Sequence, residues 1–375
     1  MESIAGIIFS NLNDNTLSRL TGERTVSAIP FACRYRLIDF SVSNMINAGV
    51  TNINVAANYN YRSLIEHIGS GKDYDLARRS GGINIISPLE GGLRAASQIY
   101  SSRMQTLINM VDYIKNFREE YVILMDSDCI MSIDLKEVIK FHESNHAQIT
   151  FVTKLLDADY VSRTPKMLIS KHGDRITDIS MKKYYTQECA EVALNIFIIK
   201  TENLKRIVDY AMARGISSFT EMLLSSYKRE AYYAYSHQGF AATVSDINDY
   251  YKYSLELTSS AEARKSLLFN KKLPIYTRVK NSAPTSHTES AKVKSSIIAD
   301  DCMIEGEVYN SVIFRGVHIA KGAIIKNSIL FHGTSVGSNA KLNCIISDKF
   351  VSVGCNVELA GNRNLPFYIE KNTRI

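Results

Sequence analysis

The chain has 375 residues, 45% hydrophobic and 22% charged, which is enough apolar material for large cores and for two domains rather than three. Its 44 Lys and Arg exceed its 38 Asp and Glu, giving +6, with the basic residues dispersed apart from short clusters such as Lys271-Lys272 and Lys292 to Lys294. That balance favours small anionic ligands and argues against nucleic acid. With no run of eighteen apolar residues and no basic leader or long apolar h-region, it also argues against a membrane and for a cytoplasmic location.

In chain order, the first 255 residues alternate short apolar runs with helical text. IAGIIF (Ile4 to Phe9), NINVAA, YVILM, QITFVTKLL and ALNIFII read as buried strands. Between two of them Met104, Leu107, Ile108, Val111, Ile114 and Phe117 recur at spacings of three and four, one apolar helical face against a sheet. Helical crossovers predict parallel strands. The strand Tyr121 to Met125 runs into Asp126-Ser127-Asp128, which places carboxylates at the carboxyl edge of the sheet, where open α/β folds bind ligands. A helical stretch from Asp246 to about Leu268 and a connector to about Ser290 follow.

The periodicity then changes. Ile313, Ile319 and Ile325 stand six apart, as do Leu330, Val336 and Leu342, then Val353 and Leu359. Seventeen residues separate Ile319, Val336 and Val353, and likewise Ile325, Leu342 and Leu359. Three short sides per coil predict a parallel β-helix of hexapeptide-like repeats, and NSVIFRG at Asn310 and NSILFHG at Asn327 write one coil twice. The domains expected are 1–255 (α/β), 256–290 (helix end and linker) and 291–375 (β-helix). Cys33, Cys129, Cys189, Cys302, Cys344 and Cys355 form no CxxC pair and no zinc spacing with His, so they read as reduced, buried thiols.

Three blocks, Pro30 to Gly49 with its YRLIDFSVSNMINAG, His67 to Gly82 (HIGSGKDYDLARRSGG) and Val308 to Gly322, resemble bacterial glucose-1-phosphate adenylyltransferase, and the resemblance runs over nearly the whole chain. It implies a Rossmann-like nucleotidyltransferase domain followed by a left-handed parallel β-helix. It also implies a reaction in which an oxygen of glucose 1-phosphate attacks the α-phosphorus of ATP, catalysed by positioning and charge neutralisation.

Against that family several parts differ. The family's first turn is a glycine-rich loop ending in arginine, whereas no glycine lies between Gly6 and Gly22 here, and side chains from Asn11 to Asn15 obstruct a triphosphate's approach to backbone N–H groups. Arg19 is a displaced substitute for the loop arginine. Val26 stands where the family has a lysine, and Ala95 to Tyr100 do not match its next short motif. Asp128 takes the place of the first metal-binding aspartate, but Thr243 replaces the second, a neutral hydroxyl where hard Mg²⁺ uses carboxylate; Asp246 is close only in sequence. Lys182 matches the lysine that binds glucose 1-phosphate. Arg34 falls in the family's effector region, and with Arg36 it is a candidate for bidentate phosphate contact.

Each residue also has a plainer role: Asp128 as the cap of the next helix, Lys182 as a solvated charge, Arg36 as an internal ion pair with Asp39. The resemblance implies no cofactor held by this chain itself, Mg²⁺ belonging to a catalytic partner, and no intact catalytic set. The expected function is that of a regulatory or structural subunit of glucose-1-phosphate adenylyltransferase, in a hetero-oligomer, a tetramer by resemblance, with a catalytic subunit and with sugar phosphate as a ligand. The alternatives are an independently active sugar-1-phosphate nucleotidyltransferase using Arg19 and Asp128, and a hexapeptide acyltransferase using His318 or His332.

Overall fold

The computed structural model describes residues 3–12, 15–57, 60–76, 81–87, 102–157, 165–182 and 189–375. Strand β1 (Ile4–Phe9) lies in a parallel set with Asn52–Ala56 (β2), Gly82–Ile86 (β3) and Tyr121–Asp126 (β4), in the order β3-β2-β1-β4. All six residues of β4 are buried, as expected of a strand covered on both faces. Helices Leu37–Asn47 (α1) and Arg62–Ile68 (α2) pack on one face through Ile38, Val42, Met45 and Leu64. Arg103–Asn109 (α3) and Val111–Lys115 (α4) cover the other through Met104, Leu107, Met110 and Ile114. The expected apolar face is present, but the helix is divided at Met110. There the N–H is shared between the carbonyls of Thr106 and Leu107 at 3.0 and 3.2 Å, and ψ is 10°.

The expectation of an all-parallel sheet fails beyond β4. Cys129–Met131 (β5) leaves the sheet, and Ile149–Asp157 (β6), Lys166–His172 (β7), Arg175–Lys182 (β8) and Cys189–Lys200 (β9) follow, with Tyr232–Ser236 (β10) completing nine strands ordered β3-β2-β1-β4-β9-β6-β10-β8-β7. Strand β9 is antiparallel to both β4 and β6. Strands β7 and β8 are antiparallel as well: a tight turn at Gly173, whose φ of +59° suits glycine, joins them, and a tight turn permits only antiparallel pairing of the two. Leu135–Ser144 (α5), Thr201–Arg214 (α6) and Phe219–Ser226 (α7) complete the layers around the sheet. Ala241–Thr243 (β11) then pairs with β5.

Ile247–Ser259 (α8) and Ala261–Leu267 (α9) lead to an extended connector and three five-stranded parallel sheets, the sides of a β-helix. The repeats fall in the predicted register: Ile319 pairs with Val336 and Val336 with Val353, and Ile325 pairs with Leu342 and Leu342 with Leu359. Most of these stack in one apolar interior. Asn310 and Asn327, which open the twice-written motif, turn corners at φ near +45° and their amides form a ladder to Asn343 at 2.7 and 3.0 Å. Cys33, Cys129, Cys302 and Cys344 are buried as predicted; Cys355 is exposed instead, because it sits in a corner turn of the last coil.

The two parts pack through a shared apolar cluster in which Tyr250 of α8 meets Phe331 edge to face. Tyr250 donates to the Pro30 carbonyl at 2.7 Å and Tyr251 to that of Asn327 at 2.5 Å. Within the seam Arg24 and Asp348 form an ion pair of 2.6 Å with both side chains about 95% buried. Truncating one partner strands the other charge. Asp348→Ala is expected to lose about 3–5 kcal/mol in urea unfolding, whereas Arg24→Met/Asp348→Leu loses less than the single variant because no charge is left unpaired.

Candidate functional site

At the carboxyl edge of β4 the chain passes from Asp126 to Asp128 and into β5. Thr243 sits opposite Cys129 in the β5–β11 pair, and the Val244 N–H donates to the Asp128 carbonyl at 3.0 Å. The two positions that the sequence pairs as metal ligands, 128 and 243, therefore meet in space. Asp128 is buried and does not cap the next helix; Asp134 does, accepting from the Lys136 N–H at 2.9 Å. Asp246 caps α8, accepting from the N–H groups of Asn248 and Asn248's neighbour Asp249 at 2.8 and 2.9 Å, which explains why it does not serve in place of Thr243.

Two cations that the sequence reading passed over enter this edge. Lys166, buried at the start of β7, donates to Thr243 Oγ1 at 2.8 Å and to Ser245 Oγ at 2.5 Å. Arg103, at the start of α3, forms a two-pronged pair with Asp126, its Nε donating to Oδ1 at 2.9 Å and its Nη2 to Oδ2. Burial opposes the charge on Arg103, but Asp126 and Asp128 outweigh it and raise its pKa. Burial likewise raises Asp249, while Lys166 and the Ser245 N–H, which donates to it at 3.1 Å, pull the other way. Thr16, from the segment after β1, donates to the Ser245 carbonyl at 2.6 Å.

The remaining sequence candidates scatter. Lys182 is exposed at the end of β8; its register partner across the β7–β8 pair is Lys166, and it is Lys166 that reaches Thr243. Arg19 is exposed and lines a cavity of about 560 Å³ with Phe367, Tyr368 and Glu370 of the last coil, a cavity that Asp128 does not line. Val26 is buried among Leu17, Leu20 and Ile29. Asn13, Asp14 and Ala95 to Tyr100 lie outside the described residues. His318 is half exposed, 3.4 Å from Glu305.

Arg34 and Arg36 do come together, in a small cleft of about 90 Å³ where the α/β part meets the β-helix. Beside them stand Arg278 and Lys280 from the connector, Arg315 and Lys349 from the coils, and the imidazoles of His67 and His332. The Arg36–Asp39 ion pair suggested by sequence is replaced. Arg36 Nη1 donates to the Ser63 carbonyl at 2.5 Å and to its hydroxyl at 2.8 Å. The fully buried Asp39 instead accepts from the Tyr74 hydroxyl at 2.6 Å and the Thr277 hydroxyl at 2.6 Å, lies 2.6 Å from His67 Nε2, and takes only the backbone N–H of Arg36. Helix α1 must begin at Leu37, and an acceptor in its first turn satisfies that N–H.

The cleft is electrostatically strained. Burial, then repulsion from Arg24 and Arg36, lowers Lys349 to about 8; burial, then Arg315, Arg36 and Arg278, lowers Lys280; and burial lowers Arg36. Convergent cations that depress one another form an environment that a phosphate or sulfate would relieve. Sequence hid it because the six basic residues lie in four separate segments between Arg34 and Lys349.

The nucleotidyl transferase family matches residues 14–262, more than half of the chain, and a family described as "GlmU-like, C-terminal hexapeptide" matches residues 278–364. Fold and matches together define a nucleotidyl transferase domain carrying a left-handed β-helix of hexapeptide repeats. The chain is 30% identical over 322 residues to "Glycogen biosynthesis protein GlgD" of Bacillus subtilis, covering 86% of this chain and 82% of that one. It is 27% identical to "Glucose-1-phosphate adenylyltransferase" of Thermosipho africanus (87% and 78% covered) and 26% identical to that of Mycoplasma mobile (87% and 85%). The chain belongs to the glucose-1-phosphate adenylyltransferase family, in its GlgD-like branch.

Nucleotidyl transferases typically use Mg²⁺. The residues at this edge do not fit it. Of the two ligand positions only 128 carries a carboxylate, the hydroxyl at 243 already accepts from the Lys166 ammonium, and Asp126 is engaged by Arg103. A dication about 4 Å from an ammonium is repelled by roughly 8 kcal/mol at an effective dielectric of about 20, twice the value for unit charges. Among the described residues no cluster of three or more His, Cys, Asp or Glu has metal-holding geometry.

The folded-state pKa of Lys349 lies below its ordinary 10.5, so its charge costs stability at every pH below about 8, and that cost fades as pH rises toward 10.5. Lys349→Met, which keeps the apolar stem, is expected to stabilise the chain on the order of 1 kcal/mol at pH 7 in denaturant unfolding, with the gain shrinking between pH 8 and 10.

Proposed function

We propose that this chain is a catalytically deficient subunit that works with an active glucose-1-phosphate adenylyltransferase in supplying ADP-glucose for glycogen synthesis. The observation that carries this reading is the identity of the group beside Asp128: the facing position holds the Thr243 hydroxyl where the active family has a metal carboxylate. Loss of a single preorganised group that stabilises developing charge costs on the order of 3 kcal/mol, a hundredfold or more in rate, and here the second carboxylate, the Val26 lysine position and the glycine loop all differ. The kinship with proteins named for glycogen biosynthesis and for glucose-1-phosphate adenylylation supports the pathway.

Half-exposed Met303, Phe350 and Phe367, with Leu365, form apolar surface on the coils, which supports a covering partner subunit in a mixed tetramer. Sugar phosphate binding near Lys182 and Asp128 belongs to the same reading. Alone, the purified chain should form no measurable ADP-glucose. Co-expressed with a catalytic homologue, it should co-elute on size exclusion and raise that partner's kcat or lower its KM. Separate elution together with unchanged kinetics on mixing removes the subunit reading, and Mg-ATP-dependent turnover by the chain alone, abolished by Asp128→Asn, establishes the independent transferase instead.

The cleft of Arg34 and Arg36 is the proposed effector site, taking a phosphorylated metabolite. Phosphate binding by calorimetry should weaken about tenfold in Arg36→Ala or Arg315→Ala, since each removes a charge-assisted contact of about 1.5–3 kcal/mol. In the wild type it should also weaken as pH rises above 8, because Lys349 loses its proton. Unchanged affinity in both variants places the anion elsewhere.

A further inference from the structure

We infer that Lys166 is a built-in cation that takes the place of the metal ion at the β5–β11 edge, so that this edge is closed to divalent metal by a side chain and not only by the absence of a carboxylate. The inference rests on the assignment of positions 128 and 243 as the metal-ligand pair. Three observations carry it.

First, the ammonium is aimed at the facing position itself: Nζ donates to Thr243 Oγ1 and to Ser245 Oγ, bracketing β11's end on both sides of Val244. Second, it is buried, and a buried ammonium requires acceptors or counter-charge; the two hydroxyls supply the acceptors. Third, Asp249 stands at the same strand end, accepting from the Ser245 N–H at 3.1 Å, and Lys166 favours its ionisation against burial, which places the ammonium within the charge environment of this edge. Arg103 completes the pattern by engaging Asp126. Two cations from separate elements, β7 and α3, thus neutralise the acidic edge from within.

A consequence follows for repair. Thr243→Asp restores the second carboxylate, but the new carboxylate lands on the Lys166 ammonium and forms an ion pair with it. Metal binding therefore requires that Lys166 be removed as well, and Lys166→Met keeps the length and the apolar stem that β7 buries.

The test measures Mn²⁺ binding by the electron paramagnetic resonance signal of the free ion, on the chain alone without sugar, nucleotide or partner. Wild type, Thr243→Asp, Thr243→Asp/Lys166→Met and the double variant with Asp128→Asn are compared, with circular dichroism and melting curves confirming the fold of each. The expected result is no Asp128-dependent binding in wild type or in Thr243→Asp, and at least tenfold tighter binding in the double variant that Asp128→Asn abolishes. Binding in Thr243→Asp equal to that in the double variant overturns the proposal. If the double variant fails to fold, Thr243→Asp decides: no Asp128-dependent Mn²⁺ binding there, with both carboxylates and Lys166 present, supports the inference, and binding that Asp128→Asn weakens overturns it. Because activity and partner are absent from the measurement, its failure leaves the subunit reading to its own test by co-elution and mixed kinetics.

Discussion

A guanidinium and a carboxylate removed together from water between two domains fix where those domains sit. Arg24 and Asp348 are separated by 324 residues, and neither tolerates burial without the other, so any slip of the β-helix against the α/β layer would expose an unpaired charge to an apolar seam. The constraint spreads outward from the pair. Asp348 also accepts from the Tyr368 hydroxyl at 2.6 Å and from the Lys349 N–H at 2.6 Å, which ties the last two coils to the same point. The Arg24 guanidinium lies over the Phe331 ring, which packs in turn on Tyr250 and Phe314. With the seam set in this way, Arg315, His332 and Lys349 on the coils are held facing Arg34 and Arg36.

The same rule, that a charge leaving water must find a partner, gives opposite outcomes at the two ends of the α/β domain. At the carboxyl edge the acids are answered from inside: Arg103 takes Asp126, and Lys166 takes the hydroxyls of β11. In the interdomain cleft the cations are gathered without equal acidic company. Asp39, the nearest fully buried carboxylate, spends its oxygens on Tyr74, Thr277 and the Arg36 backbone and lies against His67. At the edge two cations answer the acids, whereas the cleft gathers six basic side chains with Asp300, 3.6 Å from Arg315, beside them. That contrast is what supports the proposed anion site at the domain junction.

The connector does more than join the domains. The Tyr276 N–H donates to Ser43 Oγ at 2.8 Å, Asn47 donates to the Pro274 carbonyl at 3.1 Å, and Thr277 reaches Asp39. The segment is thereby laid along α1, and Arg278 and Lys280 arrive at the cleft as a result. The polar face of α1, rich in Ser and Asn in the text SVSNMIN, is explained by these bonds rather than by solvent.

Sequence by itself determined the repeating parts. A six-residue apolar period nested in seventeen leaves one way to stack coils, so the strand register of the β-helix was readable residue by residue, as were the fully apolar strands β1 and β4 and the helical face of Met104 to Phe117. The pairing of positions 128 and 243 came from the family resemblance and not from periodicity, and the structure places both at one edge. Tertiary structure decided what periodicity does not encode. The antiparallel pairing of β7 with β8 depended on a tight turn at Gly173 in place of a helix, and the break at Met110 on a shared hydrogen bond. Arg103, Lys166 and the six basic residues of the cleft are each unremarkable in their local text. Their meaning is set by long-range juxtaposition, since a charge acquires its role from the partner it meets after burial, and that partner lies tens to hundreds of residues away.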